Sequence, residues 1–258
     1  MIDVEQIKTW MVKAGQIALE YYNKPNIEYK FKENNTIVTE ADFKIEQFIR
    51  KEIRNDYPDY AIIGEELDHE SGNAYAWIID PIDGTAPFFW NIPTWCISIA
   101  LTQNHKPFMG FVYAPLTGDF YHTEGSQSFL NNHPISVSAA TEVSSEGAFC
   151  ISNRAFNKFS LQEFNGMVYS LGSGIFNNML VARGSVIGAL SISPSLWDLA
   201  AAAAMVKDAG GKMVYLDGTP LDLECLFTGK PVSKPILAGP PQLIKPLLEM
   251  IQFKADIT

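Results

Sequence analysis

Trp77-Ile78-Ile79-Asp80-Pro81-Ile82-Asp83-Gly84-Thr85 is the stretch from which the rest of the chain is best read. The apolar run Ala76 to Ile79 reads as a buried strand that delivers Asp80 to its end. Proline cannot donate to a sheet ladder, so the chain is expected to turn at Pro81. Asp83 follows three residues after Asp80, and a tight turn would bring both carboxylates to one side. Gly84 admits backbone angles that side chains forbid and lets a ligand approach closely. Thr85 offers a hydroxyl, and a helix turn starting there would present free N–H groups to an anion. Singly, Asp-Pro and Asp-Gly are common turn dipeptides. Two carboxylates, a glycine and a threonine directly after an apolar strand point instead to chemistry.

Ala61-Ile62-Ile63-Gly64-Glu65-Glu66 repeats the arrangement, a strand ending in acids, although Glu65 and Glu66 also read as solvated loop charges. Asp198 follows Trp197 at the start of an alanine-rich helix. Ser195-x-x-Asp198 and Thr39-x-x-Asp42 both have the capping-box spacing, so both acids read equally as helix caps. If these carboxylates converge, they repel, and some take up protons unless cations neutralise them. Oxygen ligands with no His or Cys nearby favour Mg²⁺, Mn²⁺ or Ca²⁺ over zinc. Carboxylates, such ions and a helix N-terminus together equip a site for phosphoryl chemistry.

Outward from this stretch, helices are expected over residues 3–23, stopped by Pro25, and over 39–56, before Pro58. Strands follow at 95–101, 108–113, 120–122 and 128–130. The polar stretch 138–147 reads as a boundary between an N-terminal α+β half, 1–142, and a C-terminal α/β half, 143–258. In the second half strands are expected at 148–151, 167–169, 186–190 and 212–216, and helices at 173–182, 196–209 and 241–253.

The chain has 258 residues, with 19 Lys+Arg against 29 Asp+Glu and a net charge of −10. That balance argues against nucleic acid or an anionic membrane surface as partner, since both demand basic patches. It should also repel a phosphorylated metabolite unless cations sit in the site. No apolar run approaches the roughly 20 residues of a membrane span, and the acidic N-terminus does not read as a signal peptide. Three separated cysteines suggest neither disulfides nor zinc, so a reducing cytoplasm is expected. The four histidines are scattered and read as surface residues.

With these residues in view, the chain resembles the inositol monophosphatase family. The stretch 77–85 resembles its first signature, and Trp197-Asp198-Leu199-Ala200-Ala201-Ala202, running to Gly211, its second. Val38-Thr39-Glu40-Ala41-Asp42, Ile63-Gly64-Glu65-Glu66 and Ser170-Leu171-Gly172-Ser173-Gly174 fall in the expected order. The resemblance spans about residues 3–253. It implies a layered αβαβα sandwich, the sugar-phosphatase fold, usually a homodimer. It also implies lithium-sensitive hydrolysis of a small phosphate monoester with two or three Mg²⁺ ions. By resemblance, one ion is held by Glu65, Asp80 and the Ile82 carbonyl, and a second by Asp80, Asp83 and Asp198. Glu65 helps hold a third. Thr85, paired with Asp42, and Glu65 orient the attacking water, and the N–H groups of Gly84 and Thr85 bind phosphate. Asp83, Gly172, Ser173, Gly174 and Ser191 fall on the substrate side.

Two departures touch the substrate side and leave these acids intact. Ala86-Pro87-Phe88 replaces a pattern that ends in Asn-Phe, and the aromatic loop to Pro93 reads as core or dimer packing or as substrate contact. Ser191 stands where inositol phosphatases carry a Glu that bonds ring hydroxyls, which weakens the case for myo-inositol. Histidinol-phosphate phosphatases share the scaffold and are the main alternative, followed by other sugar phosphatases and a catalytically silent relative that binds phosphometabolites. Arg154 reads as a surface residue or as a contact to an anionic substrate.

Overall fold

The computed structural model describes residues 2–24, 29–31, 37–228, 232 and 234–254. Helix α1 (Val4–Tyr21) opens on Asp3, whose side chain accepts from the N–H groups of Glu5 and Gln6. It buries Ile7, Trp10, Met11, Ala14 and Ala18 on one side. Pro25 lies outside the described residues; the helix ends earlier, at an extended Tyr22. A short antiparallel pair, β1 (Tyr29–Phe31) and β2 (Ile37–Thr39), leads into α2 (Glu40–Asp56), which buries Ile45, Ile49 and Ile53.

Both helices cover one face of a seven-stranded sheet. In spatial order it holds β3 (Ala61–Gly64), β4 (Tyr75–Asp83), β5 (Cys96–Gln103), β6 (Lys106–Ala114), β7 (Asp119–Glu124), β8 (Gln127–Leu130) and β9 (His133–Ile135). The short helix α3 (Thr85–Phe89) sits between β4 and β5. β3 and β4 run parallel, and the rest form an antiparallel meander.

The second sheet is built from β10 (Ala148–Ile151), then, after α4 (Asn153–Lys158) and β11 (Phe159–Leu161), β12 (Met167–Tyr169). Helix α5 (Gly174–Ala182), β13 (Gly188–Ser191), α6 (Leu196–Asp208), β14 (Lys212–Tyr215), β15 (Ile236–Gly239), α7 (Ile244–Met250) and β16 (Ile251–Phe253) complete the chain. The sheet order is β12-β10-β13-β15-β14. Helices α5 and α6 fill the space between the sheets, where Ile175, Met179, Leu199 and Met205 meet Ile78, Ala100 and Val112 on one side and Ile236 on the other. Ala155 of α4 and Leu247 of α7 cover Phe149 and Leu237 on the outer face. The layers are therefore αβαβα, as expected.

Several elements differ from the reading of the sequence. The chain does not turn at Pro81. β4 continues to Asp83 through a bulge, pairing Asp80 with Ser98 and Asp83 with Cys96. The strand at 186–190 is displaced to Gly188–Ser191. The expected helix 241–253 is shorter, because Ile251–Phe253 pairs with β11. β15, an apolar run of four residues not among the expected strands, enters the second sheet antiparallel to β13 and β14 and makes that sheet mixed. His122 is no surface residue; it is buried and stacked between Phe120 and Phe129.

Candidate active site

The register of β3 on β4 pairs Gly64 with Ile79, so Glu65, just past the end of β3, comes beside Asp80, which β4 carries on in the sheet. The bulge brings Asp83 to the same side. In a regular strand residues three apart face opposite ways. Here three steps along β4 match two along β5, from Ser98 to Cys96, and the faces agree. The β4 bulge therefore does what a tight turn was expected to do.

Gly84 follows in the left-handed region, with φ 92°. A Cβ there would meet Ser173 Cβ and Thr94 O, each at 3.0 Å, so this crossing requires glycine. Helix α3 begins at once. Pro87 is its third residue and buried, in a first turn whose N–H groups need no intrahelical partner, and so costs no bond. It packs against Gly172, where a Cβ would lie 2.6 Å from Pro87 Cγ. The aromatic loop splits: Phe88 is buried against Trp95 and Tyr22, while Trp90 is exposed on the cleft.

The start of α5 meets Asp83. The Ser173 hydroxyl donates to its Oδ2, Ile175 N donates at 2.6 Å, and Gly174 N reaches Oδ1 at 3.2 Å. Asp198 lies in the first turn of α6, where Ser195 N donates to it at 2.6 Å. Asp42 is buried in the matching box of α2, accepting from Thr39 N at 2.8 Å and Thr39 Oγ1 at 2.6 Å. Both acids are caps, and both also act electrostatically on the cluster: each raises the Asp80 carboxyl.

One cleft of about 740 Å³ gathers Glu65, Asp80, Ile82, Asp83, Gly84, Thr85, Gly172, Ser173, Gly174, Ser191 and Asp198 on its wall. Asp42 lies behind this wall. The cleft opens at the carboxyl ends of β3, β4, β10, β12 and β13, where loops rather than ladders terminate the strands. Asp80, Asp83 and Asp198 each offer an oxygen, all within 4.8 Å of one another. Asp80 Oδ1 is buried and has no hydrogen-bond partner among the described residues. Burial, then Glu65, Asp83 and Asp198, hold the Asp80 carboxyl well above the usual range. Burial also raises Asp83, against the pull of Ser173 and Ile175. Asp198 is pushed up to about 8 by burial and by Glu65 and Asp83, with Ser195 N–H and Arg154 acting the other way. Hard oxygens crowded around an orphaned buried acceptor fit a divalent cation. The Thr85 hydroxyl donates to the Ile82 carbonyl at 3.1 Å.

Reasoning from the sequence missed Glu46. It is fully buried on α2, accepts from Glu66 N at 2.8 Å and Leu67 N at 3.2 Å, and pairs with Arg50 at 2.8 Å. It thereby anchors the loop that carries Glu65. An acid at i and an arginine at i+4 on α2 was the available signal, but that pattern usually marks a solvated face.

The inositol monophosphatase family model matches residues 3–239. A histidinol-phosphatase of Chlorobaculum parvum is 36% identical over 210 residues, covering 77% of this chain and 80% of that protein. An inositol monophosphatase of Dictyostelium discoideum is 30% identical over 257 residues, covering 93% of this chain and 91% of that protein. Among solved structures, the Thermotoga maritima IMPase superposes with a TM-score of 0.83 at 27% identity, over 94% of this chain and 93% of that one.

Proposed function

The chain belongs to the inositol monophosphatase family and is a phosphatase of phosphate monoesters, and from that premise we propose a Mg²⁺-dependent site at the acidic cluster acting on a small phosphorylated metabolite. The observation that carries it is the convergence of Asp80, Asp83 and Asp198 within 4.8 Å around a buried, unpartnered oxygen. Glu65, Asp80, Asp83, Asp198 and the Ile82 carbonyl would hold the ions, two or three in number. Bound there, divalent ions acidify water and neutralise charge on the phosphoryl group.

The protein's own groups do the rest. Glu65 and Thr85, the latter steered by Asp42, orient a water molecule in line with phosphorus. The N–H groups of Gly84 and Thr85 hold the phosphate oxygens. The water oxygen bonds to phosphorus as the bond to the alcohol oxygen breaks, and the alcohol leaves with a proton. The products are the alcohol and inorganic phosphate, with no covalent phosphoenzyme. Gly172, Ser173, Gly174 and Ser191 border the alcohol. In this reading the site lies between a half spanning residues 1–142 and one spanning 143–258. Family membership also supports lithium inhibition, a homodimer and a cytoplasmic location; no described helix is long and apolar enough to cross a membrane.

The reaction is of the inositol-1-monophosphatase type, and histidinol phosphate is the alternative, favoured by the identity to the Chlorobaculum parvum enzyme. A phosphate-release screen over inositol, histidinol, glycerol, sugar and nucleotide monophosphates with Mg²⁺ tests the reading. Release that depends on Mg²⁺ is the expected result; no release from any monoester would overturn it.

A further inference from the structure

The cleft has a second chemical region, at the start of α4. Arg154 lies on its wall, one residue into that helix. Its backbone is fixed on both sides. Ser152 Oγ accepts from Ala155 N at 3.3 Å, and Ser152 N donates to Leu190 O at 2.9 Å. The Ser170 hydroxyl donates to Asn153 Oδ1, tying this corner to the loop before α5. The guanidinium itself is exposed, and among the described residues it makes no hydrogen bond or ion pair. It is also the one cation lining the cleft among those residues. The four carboxylates on the wall are Asp80, Asp83 and Asp198, which form the acidic cluster, and Glu65, which acts electrostatically on it. The end of β13 and the loop after it bring Ser191, Ser193 and Ser195 into the cleft, and no acid.

We propose that the Arg154 corner is a subsite for an anionic group on the alcohol part of the substrate. The enzyme then prefers monoesters that carry a second anion, a carboxylate or another phosphate, over those of neutral or cationic alcohols. A guanidinium presents a planar fork that matches either anion with two parallel hydrogen bonds. An ammonium group placed there would meet a like charge and find no carboxylate on the wall outside the cluster and Glu65 to pair with. The inference rests on the phosphatase reading above and, within it, ranks an anionic alcohol ahead of the neutral inositol and the cationic histidinol.

The test compares 3-phosphoglycerate with glycerol 3-phosphate, which differ by a carboxylate against a hydroxymethyl group. Fructose 1,6-bisphosphate and histidinol phosphate supply the second-phosphate and cationic arms. The wild-type chain should favour 3-phosphoglycerate or the bisphosphate, and which of the two is better identifies the anion. Arg154→Ala should shift the ratio of kcat/KM for the acid over glycerol 3-phosphate by about tenfold against the acid, mainly through KM. Arg154→Glu should move the ratio further and improve histidinol phosphate. An equal fall for every substrate would make Arg154 a phosphate ligand or a fold element and overturn the subsite. So would a wild-type preference for histidinol phosphate. No phosphate release from any compound would instead remove the phosphatase reading itself, and the subsite with it.

Discussion

Glu46 and Asp80 are both acids sealed from solvent, and they are satisfied in opposite ways. The Glu46 carboxylate receives Arg50 and two backbone N–H groups, and Arg50 continues to Glu70, which Arg54 also grips at 2.5 Å. Burial pushes Glu46 up, while the Glu66 N–H and Arg50 pull it down. That network balances its own charge. Asp80 faces Glu65, Asp83, Asp198 and Asp42, and every one of them raises it. A chain that builds one buried ion network to completion has left the other short of positive charge. The shortfall is what a metal site looks like from the protein's side.

The largest test breaks the contrast at Asp80. Asp80→Asn should cut phosphate release by about a thousandfold or more. In chelator the same variant should melt at or above the wild-type temperature, because an uncompensated buried carboxylate has gone. A lower melting temperature would make Asp80 a structural acid like Glu46. Next, Arg50→Met leaves Glu46 buried and unpaired, and should cost about 3 kcal/mol in denaturant unfolding, whether or not metal is present. A cost that vanished with Mg²⁺ would merge the two regions.

A third test uses pH. The folded Asp198 carboxyl at about 8, against an ordinary 3.8, binds a proton that the unfolded chain has released. Between those values the native state holds more protons, so metal-free stability should fall as pH rises from 5 to 8. Mg²⁺ competes with that proton, and its stabilisation should grow over the same interval, to about 2.7 kcal/mol at a hundred times Kd. Thermal melts at pH 5 and pH 8 with and without Mg²⁺ decide it; equal increments would argue against a cation taking the proton's place. The smallest effect is expected at Thr85. Thr85→Ala should lower kcat about tenfold with little change in KM, and a change confined to KM would move Thr85 from water positioning to binding.

Much of this site was legible because the informative residues are local. An apolar run leading into an acid is visible at 61–66 and at 76–80, and a strand forms at each, although β4 runs on past Pro81 to Asp83. The capping boxes at Thr39 and Ser195 were legible too, but a cap and a cluster acid use the same residue, so spacing could not separate them. What escaped was non-local. Ile236–Gly239 went unread, yet it pairs with two strands of the second sheet. Ile251–Phe253 continues a helical pattern until β11 claims it. Glu46 looks solvated until α2 is laid on the sheet.

The net charge of −10 shows the same division. The sequence by itself determined which acids stand at strand ends and helix starts, since period-2 burial, proline, glycine and capping chemistry act over a few residues. Through its resemblance to the inositol monophosphatase family it also implied the layered class of the fold. Only the tertiary structure decided that Asp80 and Asp83 share a face, through a bulge against β5, and that α6 delivers Asp198 to within 4.8 Å of both. It alone set Arg154 on the wall of the cleft, where the only acids among the described residues are those of the cluster and Glu65. The reason is physical: the repulsion among those carboxylates opposes their meeting, and what overcomes it is the packing of α5 and α6 between two sheets. That packing energy is spread over dozens of residues distant in the chain.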